Sequence, residues 1–246
     1  MKIDKSVSVV TGGARGLGLN IAANLSARGS HVIIFDRNQD DLSKLPGSLI
    51  GKYVDVTQPE MVKQAVIEIV EEYGEINILV NNAGVIYNEP FVNLYNSESI
   101  IHSYSRFSDT VKANLDTVFI TTSAVVEQMV LKRTKGVIIN MSSISSCGNE
   151  GQIAYSSAKA AVNALTVTLS KELGRWGIRC NAVAPGFIDT ESTNKFVSES
   201  NLKHIKSNTP LNRLGSSDEV SSSVCALIEN DFINGVILKV DGGLRF

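Results

Sequence analysis

Tyr155 and Lys159, four residues apart, are the side chains in this sequence best suited to moving a proton. On a helix beginning near Ala154 both leave one face, so a hydroxyl and an ammonium converge on the same ligand. Taken alone, Tyr-x-x-x-Lys is the ordinary face of an amphipathic helix with a solvated lysine, and carries little. Its context carries more. The stretch from Ser142 to Lys159 follows a glycine-led apolar run, 136–141, with the pattern of a buried strand, and passes into a strongly helical segment, 158–173. Catalysis would sit at the carboxyl end of that strand, where Ser142 and Ser143 stand.

The elements that must position this pair alternate between strand and helix. A short β-rich run, 7–10, leads through Thr11-Gly12-Gly13-Ala14-Arg15-Gly16-Leu17-Gly18 into a helical segment, 19–28. Glycines there let the backbone approach a pyrophosphate, and the helix start offers free N–H groups and the positive end of its dipole. The next strand, 31–35, ends in Asp36, eighteen residues after Gly18, where a carboxylate accepts hydrogen bonds from a ribose 2′-hydroxyl. Against a 2′-phosphate the like-charge penalty is about 4 kcal/mol per charge pair at 4 Å and moderate dielectric. NAD is therefore expected over NADP, with Arg15 and Arg37 near enough in sequence to soften the choice.

A third strand is expected over 51–56, with Asp55 and Val56 at its end, and a helix over 59–73 with Pro59 in its first turn. Asp55 could accept the adenine amino group or cap the helix. A fourth strand, 76–80, runs into Asn81-Asn82-Ala83-Gly84, small residues over which a cofactor can pass, with amides able to tie neighbouring strands. Residues 85–107 read as a long surface loop and 109–132 as a helix, in which Asn114 is a helix-weak residue of solvated or packing type. The strand 178–184 ends in Pro185-Gly186-Phe187-Ile188-Asp189-Thr190, and the polar residues 191–208 have the composition of a mobile flap, at about 190–209. A helix over 216–228 and a strand over 235–240 close the chain.

The bulk numbers bound the answer. A chain of 246 residues with 43% apolar and 20% charged residues is an ordinary globular protein, and one α/β domain accommodates it. A net charge of −2 leaves no concentrated basic face, which argues against a nucleic-acid binder. Cys147, Cys180 and Cys225 are too far apart for a disulfide framework or a metal pair, so a reducing cytoplasm is expected, with Cys147 a small residue filling a tight loop. His31, His102 and His204 have no carboxylate or cysteine at ligand spacing, so no metal is expected. No apolar run reaches membrane length, which makes a soluble protein the expectation.

Together these landmarks resemble the short-chain dehydrogenase/reductase family from about Val7 to Gly243. The residues that carry the resemblance are Thr11-Gly12-x-x-x-Gly16-x-Gly18, Asn81-Asn82-Ala83-Gly84, Asn114, Ser142/Ser143, Tyr155-x-x-x-Lys159, and Pro185-Gly186 with Thr190. The resemblance implies a single-domain, Rossmann-type doubly wound parallel sheet of about seven strands, with helices on both faces, and a homodimer or homotetramer. It implies Tyr155 as acid or base, Lys159 as the cation that favours phenolate and binds the nicotinamide ribose, a serine that orients the carbonyl, and Asn114 holding a relay water. Family spacing points to Ser142 as that serine and the local Asn-x-Ser-Ser pattern to Ser143, which is taken here. A cofactor would lie against Gly12, Arg15, Gly16, Leu17, Gly18, Asp36, Arg37, Asp55, Val56, Asn82, Ala83, Gly84, Tyr155, Lys159, Pro185, Gly186, Ile188 and Thr190. The activity implied is hydride transfer between a nicotinamide and a secondary alcohol or ketone, nearest a 3-oxoacyl thioester or 3-hydroxyacyl substrate. Hydroxysteroids, polyols and secondary-metabolite alcohols remain open, as does a non-catalytic dinucleotide-binding regulator. Residues 84–114 form a longer segment than in compact members of the family and border the pocket.

Overall fold

Seven strands make one parallel sheet in the order β3-β2-β1-β4-β5-β6-β7, in a computed structural model that describes residues 1–95, 99–190, 193 and 198–244. They are β1 (Val7–Thr11), β2 (His31–Asp36), β3 (Ile50–Tyr53), β4 (Ile78–Asn81), β5 (Gly136–Met141), β6 (Ile178–Pro185) and β7 (Ile237–Val240). Successive side chains alternate between the faces. Val10, Val32, Ile34, Val137 and Ile139 pack beneath α1 (Gly16–Ala27) and α8 (Ser217–Glu229). Val9, Ile33, Phe35 and Ile138 face α3 (Pro59–Tyr73), α5 (Thr117–Lys132) and α6 (Ile153–Leu173). Both faces are covered, which is why the strands read as unbroken apolar runs and not as alternating ones. The chain winds outward from β1 to β3, then restarts on the other side at β4. That reversal leaves a crevice at the carboxyl ends of β1 and β4, the place where such sheets bind ligands.

Helix starts follow local chemistry. Ser216 caps α8 through a reciprocal capping box with Glu219, and Pro59 pre-sets the first turn of α3. Asn38 accepts from the Asp40 and Asp41 N–H groups to start the one-turn α2 (Gln39–Leu42), an element the apolar pattern is too short to signal. No helix among the described residues is long and apolar enough to cross a membrane.

Several boundaries differ from the sequence expectation. The third strand ends at Tyr53, because the Asp55 carboxylate takes its own downstream Thr57 N–H and bends the chain before Val56. The helix after the glycine turn begins at Gly16, not at residue 19. The helix placed at 109–132 begins as α4 (Tyr104–Val111) and passes through one π-helical turn (Lys112–Asp116) before α5. The last strand is short, starting at Ile237. Much of the first half of the flap expected at 190–209 lies outside the described residues, and its second half is the helix α7 (Glu199–Asn208). Cys147 is exposed and fills no loop interior.

Below the crevice, a buried amide network joins the two central strands to the helices above them. Asn81 and Asn140 are register partners on β4 and β5, and Asn81 Nδ2 donates to Asn140 Oδ1 at 2.9 Å and to Thr122 Oγ1 at 2.9 Å. Thr121 Oγ1 donates to Asn81 Oδ1 at 2.6 Å, and Asn140 Nδ2 donates to Thr166 Oγ1 at 2.9 Å. Truncating one member strands its partners without water. Asn140→Ala is expected to cost about 2–4 kcal/mol, read as a lower urea midpoint with an unchanged m-value.

Candidate active site

The crevice is built from the carboxyl ends of β1, β2, β4, β5 and β6. At β1, Gly12 takes a left-handed φ of +61°, and a Cβ added there would lie 2.9 Å from Ala83 Cα, so only glycine lets the turn rest on the end of β4. Asn82 fastens that contact: its Nδ2 donates to the Thr11 and Gly12 carbonyls, while Thr11 Oγ1 accepts from the Asn82 and Ala83 N–H groups. Gly16 is also left-handed, at +56°, with nothing within 4 Å of an added Cβ, so open space lies before the start of α1. No side chain caps α1 and no acidic residue occupies its first turn. Open space, a glycine turn and an uncapped helix start fit a pyrophosphate. Gly18 is pressed against Asn82 Nδ2 and the Gly12 carbonyl, and Leu17 packs against the core.

At β2, Asp36 Oδ2 accepts from Ala14 N at 3.2 Å and Oδ1 from Asn38 N at 3.0 Å, so the carboxylate sits at the glycine turn. Arg15 is highly exposed, 3.9 Å from Asp41, and Arg37 is exposed. Asp55 is engaged by Thr57 N and Oγ1. Burial pushes its carboxyl up, but the Thr57 bonds and the charges of Arg37 and Lys112 outweigh this and leave it below the usual value. Val56 is buried beside it. At β6, a Cβ on Gly186 would lie 2.8 Å from Asp241 Cα, Ile188 is buried, and Thr190 Oγ1 accepts from Thr193 N.

Tyr155 and Lys159 share one face of α6, both buried, with Lys159 Nζ 5.6 Å from the Tyr155 ring centroid. Lys159 Nζ donates to the Met141 carbonyl at 2.8 Å. The two serines separate. Ser142 Oγ turns aside to Asn163 Oδ1 at 2.6 Å, whereas Ser143 is hydrogen-bonded to the Tyr155 phenol and accepts from Ser145 N. Burial raises the Tyr155 phenol above its ordinary value and the Ser143 bond opposes that, while burial holds Lys159 down from 10.5 to about 8. Desolvation thus opposes charge on both groups, and the Ser143 bond is a contact that favours the phenolate.

Asn114, read from sequence as a helix-weak residue, is fully buried in the π-helical turn. Its Nδ2 donates to the Thr110 carbonyl at 2.9 Å, the carbonyl an α-helix would give to a backbone N–H, and to the Val85 carbonyl at 2.8 Å. The side chain competing for that carbonyl accounts for the widened turn. Asn114 Oδ1 has no hydrogen-bond partner among the described residues, and a Cβ on Gly84 would lie 2.5 Å from it and 3.6 Å from Lys159 Nζ. Gly84, Asn114 and Lys159 therefore meet at one polar corner beside Asn114 Oδ1. No periodicity in sequence marks Asn114, because its signal is a contact across thirty residues.

Burial of Lys159 has a measurable consequence. Below pH about 8 folded and unfolded chains both carry this proton and the desolvation cost is felt in full. Between about 8 and 10.5 the unfolded chain binds more protons, so wild-type stability rises with pH. Lys159→Met is expected to exceed wild type by about 1–3 kcal/mol at pH 7 and to lose that margin by about pH 10.5, read by urea unfolding.

The sequence and the fold are similar to those of known proteins. The model for short chain dehydrogenases matches residues 6–201. The chain is 35% identical to the 3-oxoacyl-[acyl-carrier-protein] reductase FabG of Chlamydia muridarum, covering 96% of both chains. It is 34% identical to the FabG of Thermotoga maritima, covering 99% of each. The crystal structure of gox2181 superposes with a TM-score of 0.89 at 31% identity, over 98% of this chain and 97% of that one. On the matched model and these full-length similarities, the chain belongs to the short-chain dehydrogenase/reductase family of oxidoreductases.

Proposed function

We propose that the protein reduces a ketone, or oxidises the corresponding secondary alcohol, with NAD(H), and that its substrate is a 3-oxoacyl thioester or the 3-hydroxyacyl equivalent. The observation that carries this reading is the meeting of Ser143, Tyr155 and Lys159 at the carboxyl end of β5, beside a glycine turn shaped for a dinucleotide. The full-length relatives whose names specify 3-oxoacyl-[acyl-carrier-protein] reduction support the substrate class.

The nicotinamide cofactor would supply or accept the hydride at the carbinol carbon. The rest is done by the chain's own groups. In reduction, the Tyr155 hydroxyl gives its proton to the carbonyl oxygen, and the burial that keeps this phenol protonated suits it to act as the acid. Ser143 Oγ donates to the same oxygen and stabilises the charge developing there. The Lys159 ammonium stabilises the phenolate left behind, and water in the space beside Asn114 Oδ1 returns the proton. The strand ends hold these groups before substrate arrives, so orientation contributes much of the rate.

Asp36, aimed at the glycine turn, supports NAD over NADP, and Gly12, Gly16, Gly18 and the β4 end would hold the pyrophosphate and ribose. A homo-oligomer belongs to the same proposal and is supported by the exposed Phe119 and Leu131 on α5. A cytoplasmic location belongs to it as well.

Tyr155→Phe is expected to lower kcat/KM on a 3-oxoacyl thioester by about 10²–10⁴ while NADH still binds, as followed by fluorescence titration. Ser143→Ala is expected to lose about 10²–10³ and Ser142→Ala less than about tenfold, a split that reversed roles for the two serines would invert. In parallel titrations NADH is expected to bind at least about tenfold more tightly than NADPH, with Asp36→Ala narrowing the ratio; an NADPH preference in wild type contradicts the cofactor reading.

A further inference from the structure

Between β4 and α4 the described residues 85–95 and 99–103 make an arm. Val92 and Ile101 form an antiparallel bridge, Asn93 N donates to Ile100 O at 2.7 Å, and His102 N donates to Phe91 O at 2.9 Å. Its described tip is strongly exposed, with Leu94 at 75% and Tyr95 at 99%. The base is the reverse. His102 Nδ1 lies 3.1 Å from Glu89 Oε2, with side chains only 4% and 11% exposed. Tyr87 meets the His102 ring edge-on, and the Arg106 guanidinium lies over Tyr87 at 4.9 Å. A buried acid–base pair adds little net stability, and neither Glu89 Oε2 nor the two His102 ring nitrogens has a hydrogen-bond partner among the described residues, so the pair holds the base of the arm by burial and close contact.

That geometry is handed to the catalytic helix. Glu89 N donates to the Gly151 carbonyl at 2.8 Å, and Gln152 Nε2 donates to Asn88 Oδ1 at 2.7 Å. Gly151 and Gln152 immediately precede α6, which carries Tyr155 in its first turn. Gln152 is the N-cap residue of α6, yet its side chain does not cap; it reaches the arm instead. Arm and loop enclose a cleft of about 550 Å³ lined by Glu89, Phe91, Asn149, Gly151, Ile153 and Ser156.

We propose that Glu89 and His102 are positioning residues for the proposed reaction: their buried contact fixes the arm, and the arm sets the 148–152 loop and with it the substrate's approach to Tyr155. The proposal rests on the oxidoreductase reading for its kinetic consequence only. Neither residue touches the reacting atoms.

The test combines Glu89→Ala, Glu89→Gln, His102→Ala and the Glu89→Ala/His102→Ala double variant with two readouts. Amide hydrogen exchange over residues 148–156, in the cofactor-free protein, is expected to speed about tenfold in either alanine variant and no further in the double variant. Glu89→Gln, which keeps the size of the side chain and an oxygen against the His102 ring, is expected to restore most of the protection. With a 3-oxoacyl thioester, KM is expected to rise about tenfold while kcat stays within about threefold and NADH affinity is unchanged. Unchanged exchange in both alanine variants overturns the proposal. So does a rise in exchange spread over the whole sheet, or a KM increase matched by a loss of NADH affinity. Should wild type turn over no ketone, the exchange readout decides alone, and that failure counts against the proposed reaction and not against the arm.

Discussion

Five buried polar side chains between a parallel sheet and its helices are an expensive thing to place, and the site depends on their being satisfied. Asn81 and Asn140 sit side by side at the ends of the two central strands, and each amide is used by the other or by a threonine of α5 or α6. The network leaves no room for β4 and β5 to slip in register, since one residue of slip would point these amides into an apolar layer. Everything chemical lies one to three residues further on. Asn82 clamps the glycine turn to β4, Ser143 follows Met141 out of β5, and α6 is held over both by Thr166. The crevice is thus a consequence of polar pairing beneath it as much as of the topological reversal above it.

Over that base the interior is organised against charge. Lys159 is buried with one carbonyl partner and held down to about 8, and Tyr155 is raised by the same desolvation. Asn114 Oδ1 has no hydrogen-bond partner among the described residues. These are strained features by the ordinary standards of a protein core, and they cluster in one place. A bound ribose and water would relieve them. The π-helical turn belongs to the same set, because it exists to let the Asn114 amide reach both Thr110 and Val85.

Much of this was readable from sequence where the signal is local. β5 and α3 fall on the residues expected, because an apolar run led by glycine and a proline-started amphipathic segment each specify their own limits. The glycine turn, the shared face of Tyr155 and Lys159, and the scaffold role of the Asn81–Asn82 amides were legible for the same reason. The resemblance to the family, not spacing, drew attention to Asn114. What escaped is made of contacts between distant segments. Residues 85–103 look irregular in sequence because, among the described ones, order comes from a bridge and a buried pair, Glu89 with His102, which no periodicity announces. His102 seemed isolated for want of a neighbour in sequence, yet it has one in space. β3 ends early because a single Asp55 side chain captures its own backbone.

The account turns on whether a hydride reaches a carbon held at the Ser143–Tyr155 end of β5. The most direct measurement is a single turnover with NADH deuterated at the transferable C4 position and a 3-oxoacyl thioester, with the product analysed by mass spectrometry and NMR. The account predicts one deuterium, on the carbinol carbon of one enantiomer of the 3-hydroxyacyl product, formed in step with loss of NADH fluorescence. Product lacking the label, label at another carbon, or NADH bound without any transfer to a panel of ketones would contradict it.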